Sequence, residues 1–374
     1  MEGPSFISKC LDELVKSNCS DMYLTVGRPA SIRSKDNKLI QITSALLTQS
    51  DIDHILHEVL DDEKREEFES TLELNVPVAR EDKTRFRFNF FRQQQNSGIV
   101  IRRINTKIPT MAELGLPDVY AKMAMKKRGL IILASPGGSG KSTSMAAMIG
   151  HRNSNSAGHI LTIEDPIEYV HEHQQCIITQ REVGTDTFSY GMALKNALRQ
   201  RADVIAIGEI RDRDAMDHAL RFAETGHLCI ATLHSNNASQ AIDRIVNFFS
   251  EDARAYILTT LSQNLLSIFS QRLVPNLMGG NSLAVDVLLN EGLIRNLIAE
   301  DKITEIKDAL ERGYDAGMRT FDQSLYDLLM KNKISLEVAL AEAENPASLK
   351  LKLNQNNASP VEMLKAEEEK RSQF

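Results

Sequence analysis

The chain has no tryptophan, and aromatic residues make up only 5% of its 374 positions. Platforms for stacking nucleic-acid bases are therefore scarce. A formal net charge of −7 argues further against nucleic acid as the main partner, and no direct nucleic-acid binding is expected. The four cysteines, Cys10, Cys19, Cys176 and Cys229, include no C-x-x-C pair. That spacing supports neither a disulfide framework nor a four-cysteine zinc site. No apolar run approaches ~18 residues, so no membrane-spanning helix is expected. The opening MEGPSFISKCLDEL lacks the basic flank, apolar stretch and small-residue cleavage site of a secretory leader, and a cytoplasmic protein is expected.

What is present suits a soluble globular protein of two domains and a tail, with 42% apolar and 25% charged residues. Up to residue 104 the pattern is that of a small mixed α/β domain. An amphipathic opening helix (Phe6, Cys10, Leu11, Leu14, Val15) precedes a strand-like MYLTV and a turn at Gly27-Arg28-Pro29. A polar helical stretch over 50–72 follows. Segments 84–91 and 98–104 then alternate apolar and basic residues with period two, which predicts a sheet burying one face and presenting arginines on the other. Residues 105–116 read as a linker. In 117–353 short β-branched runs alternate with helical stretches, the signature of a parallel α/β sheet. Strands are predicted at Gly129–Ala134, 159–163, Val204–Ile207 and Leu228–Leu233, with helix beyond Glu251. The polar, charge-rich end from 354 to 374 reads as a loose tail.

One segment carries chemistry on its face. The strand LIIL runs into Ser135-Pro136-Gly137-Gly138-Ser139-Gly140-Lys141-Ser142-Thr143 and then a helical stretch. Glycines let backbone N–H groups converge on phosphates, and the helix N-terminus adds its dipole. In such a loop Lys141 reaches the β/γ-phosphates of ATP and Ser142 holds Mg²⁺. The consensus G-x-x-x-x-G-K-[ST] places glycine where this chain has Ser135, a departure expected to carry about 1 kcal/mol of backbone strain.

Acidic residues follow two of the predicted strands, in Glu164-Asp165-Pro166-Ile167-Glu168 and in Gly208-Glu209-Ile210-Arg211-Asp212. A nucleotide hydrolase needs carboxylates in such places to hold Mg²⁺ and to orient the attacking water. His227 and His234 flank one apolar strand whose length of ~23 Å keeps them from sharing a metal. His171-Glu172-His173 reads as a solvated turn.

In this order, SPGGSGKST, TIEDPIEYVH, TQREVG, VIAIGEIRD, AETGHL and ATLHSNNA resemble the Walker A, Asp box, Walker B and His box of the secretion ATPase superfamily. The likeness is greatest to the type IV pilus retraction ATPases of the PilT and PilU type and runs from about residue 4 to 350. Stretches such as MAAMIGHRNSNSAGHI and MDHALRFAETGHLCIATLHSNNASQAIDRI are PilU-like, whereas Ile294-Arg295-Asn296-Leu297-Ile298 is similar to a motif associated with PilT. The resemblance implies a PAS-like N-terminal α/β domain, a RecA-like P-loop ATPase domain and a hexameric ring. It implies that Glu168 polarises the attacking water, that Glu209 acts at the Walker B position and helps hold Mg²⁺, and that His227 and His234 form the His box. Arg87 and Arg102 resemble arginines that reach nucleotide from a neighbouring domain or subunit. The implied partners are a PilT-type retraction ATPase and the platform protein at the inner-membrane base of the pilus. The expected function is an ATP-driven motor of pilus retraction, accessory in role. The alternatives are a primary PilT-type motor and a weakly hydrolysing adaptor, for which Ser135 is the only support.

Overall fold

The computed structural model describes residues 5–34, 38–80, 82, 84–104 and 107–355, and these divide into two compact units. The first runs to Lys107 and takes in Glu168–Val170. It opens with α1 (Phe6–Lys16), started by Ser5, whose hydroxyl accepts from the Ser8 N–H. Ile7, Cys10, Leu11 and Leu14 fall on one helical face and are buried. There follow β1 (Asp21–Thr25), β2 (Ser31–Arg33), β3 (Leu39–Gln41), α2 (Gln49–Val59), α3 (Asp62–Thr71), β4 (Glu73–Ala79), β5 (Arg85–Gln93) and β6 (Asn96–Ile104). The helical stretch expected over 50–72 is two helices, because Leu60 is extended and Asp61 caps a new start by accepting from the Lys64 N–H.

The six strands form one antiparallel sheet in the order β3-β2-β1-β6-β5-β4. Period-two alternation sends Phe86, Phe88 and Phe90 into a core shared with the three helices. Truncating any one of these rings to alanine would remove about 3–5 kcal/mol. On the other face, register sets Arg33, Asp21, Arg102 and Arg87 side by side across β2, β1, β6 and β5. Arg102 Nε donates to Asp21 at 2.8 Å.

The second unit comprises Ile108–Ile167 and the chain from His171 onward. Residues 105–106 lie outside the described part. A turn closed by Thr110 and Glu113 leads Leu116 into this unit's core. The elements then run α4 (Asp118–Ala124), β7 (Gly129–Ala134), α5 (Lys141–Asn155), β8 (Gly158–Glu164), β9 (Cys176–Glu182), α6 (Tyr190–Ala197), β10 (Val204–Ile207), α7 (Arg213–Glu224), β11 (Leu228–Leu233), α8 (Ala238–Asn247), α9 (Arg254–Asn264), β12 (Leu265–Pro275), β13 (Asn281–Leu289), α10 (Leu293–Ala299), α11 (Ile306–Arg312), α12 (Phe321–Met330), α13 (Leu336–Glu342) and α14 (Pro346–Gln355). Asn354 and Gln355 thus close a helix, and the rest of the expected tail lies outside the described residues.

The sheet order is β13-β12-β7-β11-β10-β8-β9, parallel except for β13. Helices cover both faces, so β7, β10 and β11 are buried at every residue. The helical reading beyond Glu251 is corrected by β12 and β13. Their apolar runs are interrupted by Ser267, Ser270, Gln271 and Asp286, which look like surface residues in sequence but are buried. The outer edge of β13 is covered as well. Val287 exchanges backbone hydrogen bonds with Arg319, and the Val285 N–H donates to the Ser324 hydroxyl.

Asp286 is the costly member of this set. One carboxyl oxygen accepts from the Ala238 N–H at the start of α8, at 2.9 Å, and the other has no hydrogen-bond partner among the described residues. Burial pushes its pKa up to about 7; the Ala238 bond opposes the rise, Glu344 adds to it, and Arg272 and Lys307 oppose it. Between the ordinary carboxyl value of 3.8 and that raised value, the folded protein keeps a proton that the unfolded chain has released. Stability from this group therefore falls as pH rises through the interval. Asp286→Asn is neutral throughout, so its melting temperature relative to the parent should climb from pH 4 to pH 8. A pH-independent difference between the two melting curves would overturn this account.

Candidate nucleotide site

β7 ends at Ala134, and the loop that follows turns through Gly138 and Gly140, both with left-handed backbone, into α5. Gly140 starts α5 without a side-chain cap, and no acidic residue lies in the first turn. The first N–H groups of the helix therefore face outward without a carboxylate competing for them, as an anion site requires. Lys141 is buried, and its ammonium donates to the Ser135 and Pro136 carbonyls at 2.5 and 2.8 Å. Ser142 and Thr143 stand half-buried in the same turn, and the Ser139 hydroxyl closes the loop on the Pro136 carbonyl at 2.8 Å.

The strain expected at Ser135 is absent. Ser135 is not among the residues with positive φ, so a side chain there meets no backbone penalty. Its N–H donates to the Leu233 carbonyl of β11 at 3.0 Å. Its hydroxyl accepts from the Gln271 N–H of β12 at 2.7 Å and donates to the Ala134 carbonyl at 2.5 Å. A serine side chain thus continues the β7–β12 ladder one step past the last strand residue. Gln271 adds a second tie, donating from its amide to the Ser144 hydroxyl on α5 at 2.7 Å.

Three neighbouring strands deliver charge to the same edge. β11 ends in His234, whose ring faces Gly137; a Cβ on that glycine would lie 3.9 Å from the imidazole Cε1. β10 ends in Glu209. Its carboxylate meets His234 Nε2 at 2.7 Å on one oxygen and Arg211 Nε at 2.6 Å on the other. Arg211 also reaches Asp165 at 3.2 Å. Desolvation and the nearby Lys141 charge lower the His234 pKa, and Glu209 opposes them. His234 Nε2 and the Glu209 carboxylate stand within hydrogen-bond distance. β8 ends in Glu164, which is buried and accepts from the Thr162 hydroxyl at 2.6 Å and the Gln180 amide at 3.2 Å.

Lys141, Ser142, His234 and Glu209 are thus brought to one edge of the sheet. His227 is not with them. It precedes β11 at the opposite end of the parallel strands, where its carbonyl accepts from the Gly129 N–H and its ring packs on Phe222. Six strand residues at about 3.3 Å each lie between it and His234. Glu168 belongs to the segment described with the first unit, as do Arg87 and Arg102. His171 is not solvated: it is buried, and desolvation lowers its pKa to about 4. Among the described residues no cluster of His, Cys, Asp and Glu has the form of a metal-binding group.

Glu164 and Asp165 belong to the carboxylates expected after β8, whereas Arg211 and Gln271 were not expected at the edge. Arg211 could have been found two residues after Glu209. Gln271 was hidden by the strand misread as helix. The hydroxyl of Ser142 and the carboxylate of Glu209 are hard oxygen donors, the chemistry Mg²⁺ selects alongside phosphate oxygens and water.

Because Ser135 is unstrained and holds a buried N–H, restoring the consensus with Ser135→Gly should weaken the protein. The Gln271 donor would be stranded, at about 1–3 kcal/mol, read as a lower urea midpoint without a gain in nucleotide affinity. Equal or greater stability in the glycine variant would refute the ladder assignment.

Comparison with known proteins agrees with this geometry. The family model described as type II/IV secretion system protein matches residues 4–334. The type IV pilus ATPase PilU of Pseudomonas aeruginosa is 45% identical over 357 residues, covering 95% of this chain and 93% of PilU. The type IV pilus retraction ATPase PilT of the same organism is 39% identical, covering 91% and 98%. A crystal structure of the pilus retraction motor PilT with bound ADP has a TM-score of 0.87 at 36% identity, covering 93% of this chain and 99% of that one. The chain belongs to the type II/IV secretion system protein family, as an ATPase of its type IV pilus branch.

Proposed function

We propose that this ATPase drives or assists retraction of a type IV pilus, in the accessory role of PilU-type proteins acting with a PilT-type motor. The observation that carries this reading is identity of 45% to PilU against 39% to PilT, each over more than nine-tenths of the chain. It is joined to an edge of the sheet at which Lys141, Ser142, His234 and Glu209 stand together. The adaptor reading loses its support, since Ser135 is built into the sheet and is not a sign of decay.

The roles proposed for its residues rest on that edge and on the likeness to the family. On ATP binding, Lys141 exchanges the Ser135 and Pro136 carbonyls for β- and γ-phosphate oxygens, and the α5 N–H groups take the remaining charge. Mg²⁺, held through Ser142 and Glu209 and partly through water, would neutralise the charge that builds between the β- and γ-phosphates. Glu209 must then loosen its hold on Arg211 and His234, which frees the imidazole to face the γ-phosphate. Glu168 serves as the base that orients water. Arg87 and Arg102 complete the site from a neighbouring subunit, which makes the working species an oligomer, a homo-hexamer by its likeness to the family. Its place is the cytoplasmic face of the inner membrane, against the pilus platform protein.

Lys141→Ala should abolish ATP turnover. Glu168→Gln and Glu209→Gln should keep nucleotide binding and lose two or more orders of magnitude in kcat. The check is steady-state hydrolysis and ADP affinity on samples sized in parallel. Normal turnover by Glu168→Gln would remove it as the base. Mixing Lys141→Ala with Arg102→Ala subunits should restore part of the activity lost by each, and a fully active monomer would exclude the shared site. In cells, deletion should reduce retraction force only where the PilT-type motor is present. Full-force retraction by this protein alone would make it the primary motor.

A further inference from the structure

Glu344 lies in the turn between α13 and α14, far along the chain from the phosphate loop, and none of the assigned roles uses it. Asp322, in the first turn of α12, fixes this turn by accepting from the Glu344 and Asn345 N–H groups at 2.8 and 3.1 Å. The Glu344 side chain is only 20% exposed. One of its oxygens accepts from Asn237 Nδ2 at 3.1 Å and from Arg272 Nη2 at 3.3 Å, and the other from Lys307 Nζ at 3.0 Å. Burial raises the pKa of this carboxyl, but the Asn237 and Lys307 bonds and the Lys307 and Arg272 charges outweigh it and hold the group below its ordinary value. One carboxylate thus gathers three elements. Asn237 starts α8 three residues after His234, Arg272 adjoins Gln271 on β12, and Lys307 belongs to α11.

We propose that Glu344 is a positioning residue of the nucleotide site, holding Asn237 and, through the short loop before it, His234 at its place beside Glu209. The proposal rests on the reading of that edge as the hydrolytic centre. The loop leaves β11 at Leu233, and the Ser235 hydroxyl closes it by donating to the Asn237 carbonyl at 3.0 Å. A tie at Asn237 is therefore felt one peptide from His234, whose Nε2 stands 2.7 Å from Glu209. The residue type at 237 points the same way. Asn237 Oδ1 caps α8 by accepting from the Gln240 N–H at 3.0 Å, a task that serine or aspartate does as well. Asparagine alone of these has an amide nitrogen left over once the cap is made, and here that nitrogen goes to Glu344. A serine hydroxyl ends one bond nearer the backbone, and an aspartate would set a second negative charge against the first. Arg272, stacked on Phe321 at 4.1 Å from the ring centroid, ties the same carboxylate to β12. There the adjacent Gln271 donates to the Ser135 and Ser144 hydroxyls at either end of the phosphate loop.

The test is Asn237→Ser, which keeps the α8 cap and loses the link, beside Glu344→Ala, each in the full chain and each also combined with His234→Ala. Hydrolysis is followed by steady-state and single-turnover assays, the latter to resolve slow residual rates, with ADP affinity and melting temperature on the same samples. Asn237→Ser should keep the melting temperature and ADP affinity of the parent and lower kcat by roughly tenfold. Glu344→Ala should share the kinetic defect, and the two together should be no slower than Glu344→Ala alone. In the His234→Ala background neither substitution should slow hydrolysis further, since residues that act through one group are not additive. Parent-like kcat in Asn237→Ser, or losses that multiply with that of His234→Ala, would overturn the role of Glu344 and leave the hydrolytic centre standing. A kcat that falls only in proportion to melting temperature would make the contact a structural tie, and the positioning role would be lost. Parent-like hydrolysis by His234→Ala would remove His234 from the centre, and the role of Glu344 with it.

Discussion

Four parallel strands that end nearly level with one another are the constraint on which this protein's chemistry depends. Ala134 of β7 lies opposite Leu233 of β11, and Ile207 of β10 lies between Ala231 of β11 and Ile163 of β8. The residues at or just past those ends are the phosphate loop, His234, Glu209 and the Glu164-Asp165 pair. None of these is close to another in sequence except the last two. A slip of one residue in any strand would turn the following loop toward the other face, since side chains alternate along a strand. Hydrophobic burial on both faces holds the register, so the apolar core determines where the charges stand.

Charge pairing sets the state in which the edge rests. The ammonium of Lys141 is satisfied by two loop carbonyls, and the Glu209 carboxylate by Arg211 and His234. Buried or half-buried charge without partners is costly, and the chain meets that cost internally. On the proposed reading nucleotide enters by exchange of partners at Lys141 and Glu209, to which the uncapped start of α5 adds new contacts. The free energy available to move the protein is consequently the difference between two sets of good contacts. This favours a site able to return to its starting arrangement after hydrolysis.

Much of this was legible in the sequence, and the failures have physical causes. The runs at Gly129–Ala134, Val204–Ile207 and Leu228–Leu233 are apolar but for Thr232 and are followed by Ser135, Gly208 and His234, and each is a strand over the expected span. Phe86, Phe88 and Phe90 alternate with polar residues and are buried together, as period two demands. β12 and β13 were read as helix because Ser270, Gln271 and Asp286 break the apolar pattern. Their polar groups are buried where the sheet needs them, and sequence does not reveal which buried polar residues will find a partner. Ser135 was judged by a consensus written for a backbone that this loop does not adopt. The separation of His227 from His234 by a strand's length was legible in their spacing.

The covered edge of β13 bears on how copies of the chain can meet. An exposed outer strand is a template for strand addition, which would let copies join through backbone hydrogen bonds with little regard for side chains. Here Arg319 and Ser324 already occupy backbone positions along that edge. Association through the ATPase unit at this border must therefore be decided by surface shape and side-chain charge. Such contacts can be broken and remade without unravelling a sheet.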